Sequence, residues 1–143
     1  MVLVDSNIWF AVNDRSATEH TACITWVAAN RADLAVTAPV AAETGWLLLD
    51  RFGPDTANSF LNLIATGRLA VIDTTTSDWE RIVELCTTYA SIELDIVDAS
   101  IVAAAERLGH TEVATMNRRD FYTVRPAHCA GFTLLPEGLT RPT

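Results

Sequence analysis

Acidic residues stand at several points where predicted elements meet. Met1–Val4 is a short apolar run that ends at Asp5. Glu43 lies early in a helix that follows a second apolar run, and Asp98 lies near the start of an apolar helix. In α/β proteins, ligands bind at the carboxyl ends of the strands. Carboxylates gathered there would suit Mg²⁺ or Mn²⁺, which prefer oxygen ligands, rather than zinc.

Each of these acids also has a purely structural explanation. Asp5 can form an Asx-turn or cap the helix that follows it, a role for which Ser6 and Asn7 also compete. Glu43 can be favoured by the positive end of the helix dipole. The sequence alone leaves both readings open for each residue.

The same ambiguity holds for the acids near the later helices. Asp95 can cap its helix, with Asp98 as the reciprocal acid of a capping box. After the fourth strand, Asn117 can cap a short helical turn, with Asp120 as its partner. However, Asp98 lies between apolar neighbours on a helix expected to be buried, and a buried carboxylate needs a partner. Clustered carboxylates repel one another, and a divalent cation removes that conflict.

Composition restricts the class of protein. The chain has 143 residues, half of them apolar, and we expect one domain spanning residues 1–143. No apolar stretch is long enough to span a membrane, and the amino terminus lacks a signal peptide's basic region, so we expect a cytoplasmic protein. The three cysteines are far apart, which argues against disulfides and zinc sites. The net charge of −8 argues against a large duplex-DNA surface.

Alternating apolar runs and helical patterns predict an α/β protein with a mostly parallel sheet of about five strands between two helical layers. The predicted strands are 1–4, 34–37, 69–72, 112–115 and 131–135. The predicted helices are 6–13, 17–30, one around Pro39 running to Phe52, 55–66, 76–90 and 96–108. Helix 76–90 is predicted to be amphipathic, with one broad apolar face formed by Trp79, Ile82, Val83, Leu85 and Cys86.

The short motifs, in this order and spacing, resemble the PIN domain, and within it the VapC-like toxins of bacterial toxin–antitoxin pairs. The matching segments are Val4-Asp5-Ser6-Asn7, Ala42-Glu43, Val97-Asp98-Ala99-Ser100-Ile101, Ala105-Glu106-Arg107-Leu108-Gly109, Ala114-Thr115-Met116-Asn117-Arg118-Arg119-Asp120-Phe121 and Phe132-Thr133-Leu134-Leu135-Pro136. The resemblance covers essentially the whole chain.

The resemblance implies a Mg²⁺- or Mn²⁺-dependent endoribonuclease of the α/β/α PIN-like fold. Asp5, Glu43 and Asp98 match the family's three central acids and are the expected metal ligands. The family usually has a fourth acid where this chain has Asn117. Asp120, one helical turn on, can partly replace it, and the change to Asn117 argues against a complete second-metal site.

The remaining site residues are expected to support these acids or to bind substrate. Ser6, Asn7 and Thr115 would fix the orientation of the carboxylates. Arg118 and Arg119 would contact RNA phosphates, or simply form a solvated surface pair. Among the four tryptophans, which are more often core or interface residues, Trp9 and Trp46 are the candidates to stack on unpaired bases.

The resemblance also implies a homodimer and a cognate antitoxin that wraps around the toxin. The antitoxin would insert a basic side chain, such as Arg, among the acids and so block metal entry. We expect an apolar helical face to form its groove, although the same residues can simply be core. That face comprises Val40, Trp46, Leu47, Leu48, Phe60, Leu61 and Ile64.

Two other functional classes remain. In a phosphoaspartate phosphatase or receiver, Asp5 would be the nucleophile, but both normally use a lysine, and this chain has none. Alternatively, the Asn117 change has left a PIN-like binding module with weakened catalysis. Metal-dependent cleavage of RNA, with an EDTA control, separates these possibilities.

Overall fold

A computed structural model describes residues 1–139, and its centre is a five-stranded sheet in which every paired strand is parallel. The strand order is β3-β2-β1-β4-β5. The strands are β1 (Val2–Val4), β2 (Leu34–Thr37), β3 (Ala70–Ile72), β4 (Glu112–Ala114) and β5 (Thr133–Leu135). The end of the predicted domain at residue 143 lies outside the described residues.

Helices connect the successive strands, as parallel pairing requires. They are α1 (Ser6–Asn13), α2 (His20–Asn30), α3 (Ala38–Phe52), α4 (Pro54–Ala65), α5 (Thr76–Thr88), α6 (Ile96–Leu108) and α7 (Arg118–Thr123). Short 3₁₀ turns cover Arg31–Asp33 and Ala90–Ile92. This arrangement confirms the predicted α/β/α fold with a parallel sheet. None of the helices in residues 1–139 is long and apolar enough to cross a membrane.

Predicted boundaries are most accurate where local sequence fixes both ends of an element. Helix α6 begins after Asp95, whose side chain accepts from the Asp98 amide, and ends at Gly109 in the left-handed conformation. The helix predicted from residue 17 begins instead at His20. Asp14 accepts hydrogen bonds from both the amide and the hydroxyl of Ser16, which holds this segment in a turn.

The core lies on both faces of the central strands. The side chains of β1 and β2 are buried along their whole length, and so is every residue of α6 from 97 to 105. The predicted broad face of α5 is only partly buried: Ile82 and Leu85 are buried, whereas Trp79 and Val83 are exposed. Helix α5 packs against α6 through a narrower stripe than the sequence pattern indicated.

Candidate active site

Six of the predicted site residues converge on one cavity of about 820 Å³ at the carboxyl edge of the sheet. Helices α1 and α3 begin at this edge, directly after β1 and β2, and α6 brings its own first turn there. The cavity extends along α1, where Asn7, Phe10 and Ala11 line it. The predicted residues that line it are Asp5, Ser6, Asn7, Glu43, Asp98 and Asn117.

Asp5 is both a helix cap and a buried member of the cluster, so the two interpretations of this residue are compatible. Its Oδ1 accepts from the Ser6 amide at 2.7 Å, which caps α1. Its Oδ2 accepts from the Thr115 hydroxyl at 2.8 Å and from Asn7 Nδ2 at 3.3 Å. Since the side chain is buried, these donors hold the carboxylate in one orientation.

The supporting residues join the ends of β1 and β4. Asn7 Oδ1 accepts from the Met116 amide at 3.0 Å, and its Nδ2 donates to Thr115 Oγ1 at 3.4 Å. The backbone amide of Asn117 also donates to Thr115 Oγ1, at 3.0 Å. Thr115 itself is fully buried beneath the cavity. The contacts of Asn7 and Thr115 are those expected of residues that orient a carboxylate.

Glu43 reaches the cluster from the second turn of α3. Thr37 caps this helix by accepting from the Val40 amide, and Pro39 lies in its first turn. The Ser6 hydroxyl donates to Glu43 Oε1 at 2.5 Å and lies 3.4 Å from Asp5 Oδ1. Ser6 thus links the carboxylates of Asp5 and Glu43 across two helices.

The carboxylate of Asp98 is bound by Asn117 and not by its own helix. Asp95 caps α6 as predicted, accepting from the Asp98 amide at 2.9 Å. The proposed return half of the capping box is wrong, because Asp98 Oδ2 accepts from Asn117 Nδ2 at 2.9 Å. Tertiary structure therefore directs this side chain into the cavity.

Asn117 connects two acids. Its Nδ2 donates to Asp98 and also, at 3.0 Å, to Asp120 Oδ2. Asn117 precedes α7, but its side chain makes no capping hydrogen bond to that helix, so this part of the structural interpretation is wrong. Asp120 is buried behind Asn117 and does not line the cavity.

The two aspartates have strongly raised pKa values. Burial raises the pKa of Asp98 to about 8, and the charges of Asp5, Asp95 and Asp120 add to the effect. Burial likewise raises the pKa of Asp5 to about 6, against the lowering effect of the hydrogen bonds from Thr115 and Ser6. Both shifts show that the site disfavours its own negative charge, which a cation would stabilise.

The donor set fits a hydrated divalent cation. Within residues 1–139, no group of three or more His, Cys, Asp or Glu side chains is arranged to hold a metal directly. Mg²⁺, however, commonly binds through one or two carboxylates and keeps several waters. Asp5 and Asp98 are two buried carboxylates in repulsive proximity, which is the arrangement such an ion stabilises.

The two arginines that follow Asn117 differ. Arg119 is exposed, with its Nε 3.4 Å from Asp120 Oδ1. Arg118 instead donates to three backbone carbonyl oxygens, at Thr115, Leu134 and Pro136. Neither arginine lines the cavity. The prediction that the two arginines form a solvated surface pair is therefore wrong for Arg118.

The two suspected tryptophans also differ. Trp9 is buried, and its ring lies 5.6 Å from that of Phe60, so it belongs to the core. Trp46 is 64% exposed on α3 and remains available for contacts. The predicted apolar face is likewise divided, because Val40, Leu48 and Phe60 are core residues while Trp46 and Leu61 are exposed.

Sequence reasoning assigned Asp95 only a capping role. In the structure this residue lines the cavity, and its charge raises the pKa of both Asp5 and Asp98. The sequence could have indicated this second role. Asp95 lies three residues before Asp98, and a capping residue and the third residue of its helix lie at the same end of that helix. Further along α1, the cavity is lined by Phe10 and Asp14, which the motifs did not indicate.

Known proteins resemble the chain over most of its length. Ribonuclease VapC26 of Mycobacterium tuberculosis is 26% identical over 135 residues, covering 94% of this chain and all of the relative. The crystal structure of M. tuberculosis VapC20, described as a sarcin–ricin loop cleaving toxin, has a TM-score of 0.73 at 20% identity, covering 79% of this chain and 87% of that one. A toxin–antitoxin complex from Klebsiella pneumoniae has a TM-score of 0.62 at 22% identity, covering 85% and 90%.

Most of the chain matches the PIN domain as a family, and not only single relatives. The PIN domain profile matches residues 2–125, which include β1 to β4 and every acid of the cavity. Ribonucleases of the VapC type in this family generally depend on a divalent metal. The chain therefore belongs to the PIN domain family.

Proposed function

We propose that this protein is a Mg²⁺- or Mn²⁺-dependent endoribonuclease and the toxin of a toxin–antitoxin pair. The observation that carries the proposal is the convergence of Asp5, Glu43 and Asp98 on one cavity. Asp5 and Asp98 are buried there, and their pKa values are raised. The names of the relatives support the same activity: VapC26 is called a ribonuclease, and VapC20 a loop-cleaving toxin.

The carboxylates of Asp5 and Asp98 would hold the cation, partly through water. When bound, the ion lowers the pKa of a coordinated water and neutralises charge on the phosphate. Glu43, held by Ser6, either contributes a ligand or accepts the proton of the attacking water. Asn117 brings no charge, so we propose one firmly held ion.

The substrate would be a single-stranded loop of a structured RNA, such as a tRNA or an rRNA. Unpaired bases can be splayed open and reached at a cleft, whereas a duplex hides them. VapC20 is described as cleaving the sarcin–ricin loop, which is an RNA of this class. Arg119 is the arginine that we propose for phosphate contact, because its side chain is exposed beside the cluster. We place this activity in the cytoplasm.

The regulatory partner would be a cognate antitoxin that supplies a basic side chain to the cavity. The cavity is lined by six acids, and no basic residue among residues 1–139 lines it. The acids are Asp5, Asp14, Glu19, Glu43, Asp95 and Asp98. An Arg inserted there would pair with Asp5 or Asp98 and occupy the cation's place. We further propose a homodimer, as in the family that the sequence resembles.

The decisive test is cleavage of a structured RNA panel by purified, antitoxin-free protein with Mn²⁺ or with EDTA. We expect cleavage only with the metal, and loss of activity by at least about 100-fold in Asp5→Asn and Asp98→Asn. Both substitutions keep the shape and one of the two acceptor oxygens, so circular dichroism should report a folded protein. Full activity in either variant would overturn the assignment.

A PIN-like binding module with weakened catalysis is the second candidate, and Asn117 is the observation that favours it. Its side-chain amide donates to Asp98 and Asp120, at the position where the resemblance implies an acid. If the wild-type protein binds RNA but cleaves none of it with either metal, this candidate replaces the nuclease.

A further inference from the structure

Arg118 is the most fully bonded arginine near the candidate site. Its Nε donates to the Thr115 carbonyl at 3.1 Å, its Nη1 to the Leu134 carbonyl at 3.3 Å, and its Nη2 to the Pro136 carbonyl at 2.5 Å. The side chain is half-buried. A guanidinium group that is already bound to three carbonyl oxygens is poorly placed to bind phosphate as well.

These carbonyls belong to two segments that must stay together. β5 is an edge strand, and its Leu135 carbonyl accepts from the Thr115 amide at 3.0 Å. Because successive carbonyls of a strand point to opposite sides, the Leu134 carbonyl points away from β4 and has no strand partner. Arg118 satisfies this carbonyl and, at the same time, fixes the peptide of Thr115.

Thr115 transmits this constraint to the acid cluster. Its hydroxyl donates to Asp5 Oδ2 at 2.8 Å and accepts from the Asn117 amide at 3.0 Å. The hydrogen-bonded chain therefore runs from the edge of the sheet through Arg118 and Thr115 to Asp5. Three donors of one rigid fork make this link directional, and a lysine ammonium cannot reproduce it.

We infer that Arg118 is a positioning residue of the cluster, which orients the Asp5 carboxylate through Thr115 and does not bind RNA. The inference rests on the proposed nuclease function for its kinetic consequences. Its effect on metal binding can be measured without any RNA, so the two can fail independently.

Arg118→Lys is the informative variant because it keeps the positive charge. We expect kcat to fall about 10- to 100-fold and the Mn²⁺ dissociation constant, measured by calorimetry, to rise by a similar factor. The KM for RNA should stay within about twofold. Arg68→Lys, an exposed arginine near β3, is the matched control and should leave all three unchanged. A raised KM with unchanged kcat and Mn²⁺ affinity would assign Arg118 to RNA binding and overturn the inference.

Thr115 provides a second test that does not require the Arg118 variant to fold. Thr115→Ser keeps the hydroxyl and should retain Mn²⁺ affinity, whereas Thr115→Val should weaken it as Arg118→Lys does.

The double variant tests whether both residues act through the same link. In the Thr115→Val background, Arg118→Lys should reduce Mn²⁺ affinity little further, because both changes break the same link. Wild-type Mn²⁺ affinity in Thr115→Val, or independent losses in the double variant, would overturn the inference. If the wild type binds Mn²⁺ but cleaves no RNA, only the proposed function fails.

Discussion

The side-chain amide of Asn117 donates to the carboxylate of Asp98 at 2.9 Å. The same nitrogen donates to Asp120 Oδ2 at 3.0 Å, so one neutral group stands between two buried acids. An amide here reduces the repulsion that a fourth carboxylate would add. Asn117 therefore stabilises the metal-free protein, but it leaves the site with less negative charge to bind a second cation.

Asn117→Asp should reverse this balance. The change removes both donor hydrogen bonds and adds a negative charge, so we expect a loss of about 1–3 kcal/mol in the free energy of unfolding in EDTA. Adding Mn²⁺ should stabilise the variant more than the wild type, because ligand binding to the native state adds stability. Thermal unfolding with and without Mn²⁺ measures both effects. Asn117→Ala, which adds no charge, should show the loss without the extra gain.

The raised pKa values of Asp5 and Asp98 predict that the metal-free protein becomes less stable as the pH rises from 5 to 8. Both folded pKa values, about 6 and about 8, lie above the unfolded value of 3.8. The native state therefore holds more protons than the unfolded state in this range, and stability falls with pH. Acids with lowered pKa values, such as Asp78 and Glu106, have the opposite effect, but only at lower pH.

Urea denaturation in EDTA at pH 5 and pH 8 measures this dependence. We expect the wild type to be clearly less stable at pH 8 than at pH 5. Asp98→Asn should lose clearly less, because it removes the group with the largest shift and still accepts from Asn117. Saturating Mn²⁺ should also flatten the dependence for the wild type. Equal slopes for wild type and Asp98→Asn in EDTA would contradict the assignment of the shift to Asp98.

Trp9 and Trp46 should respond to truncation in opposite ways. Trp9→Ala removes a buried ring packed on Phe60 and should cost about 3–5 kcal/mol of stability. Trp46→Ala removes an exposed ring and should change stability by less than about 0.5 kcal/mol. Any loss of RNA or antitoxin affinity in Trp46→Ala then reflects a lost contact. Chemical denaturation followed by binding to each partner makes the comparison.

The contrast between these tryptophans shows which features the sequence could predict. Local signals were sufficient where both ends of an element are encoded nearby: Thr37 and Gly53 define α3, and Asp95 and Gly109 define α6. They were insufficient where burial depends on a distant partner. Trp9 packs on Phe60, which is remote in sequence, and the periodicity of α5 did not show that Trp79 and Val83 would be exposed.

In the candidate site too, some features could be predicted from local sequence and others could not. The acids could be predicted because each follows a strand or opens a helix, and the topology carries those points to one edge. The connections between them could not be predicted from spacing. Asn117 bridges to Asp98 on another helix, and Arg118 reaches carbonyls on β5, so each contact required the tertiary structure.

Asp95 provides a test of the electrostatics that leaves the fold intact. Its charge raises the pKa of both Asp5 and Asp98, while its side chain caps α6. Asp95→Asn keeps the cap, since Asn is an equally good capping residue, and removes only the charge.

With that repulsion gone, the pKa values of Asp5 and Asp98 should fall, and the deprotonated, metal-binding form should appear at lower pH. We expect the acidic limb of the pH profile of Mn²⁺ binding to move down by roughly half a unit to one unit. Calorimetry from pH 5 to pH 8 measures the shift, and the RNA-cleavage profile should move with it. Asp78→Asn is unsuitable as a control because it breaks the pair with Arg107, whereas Asp55→Asn, an exposed change on α4, should leave the profile in place. Loss of Mn²⁺ binding at every pH in Asp95→Asn would show instead that Asp95 is itself a ligand.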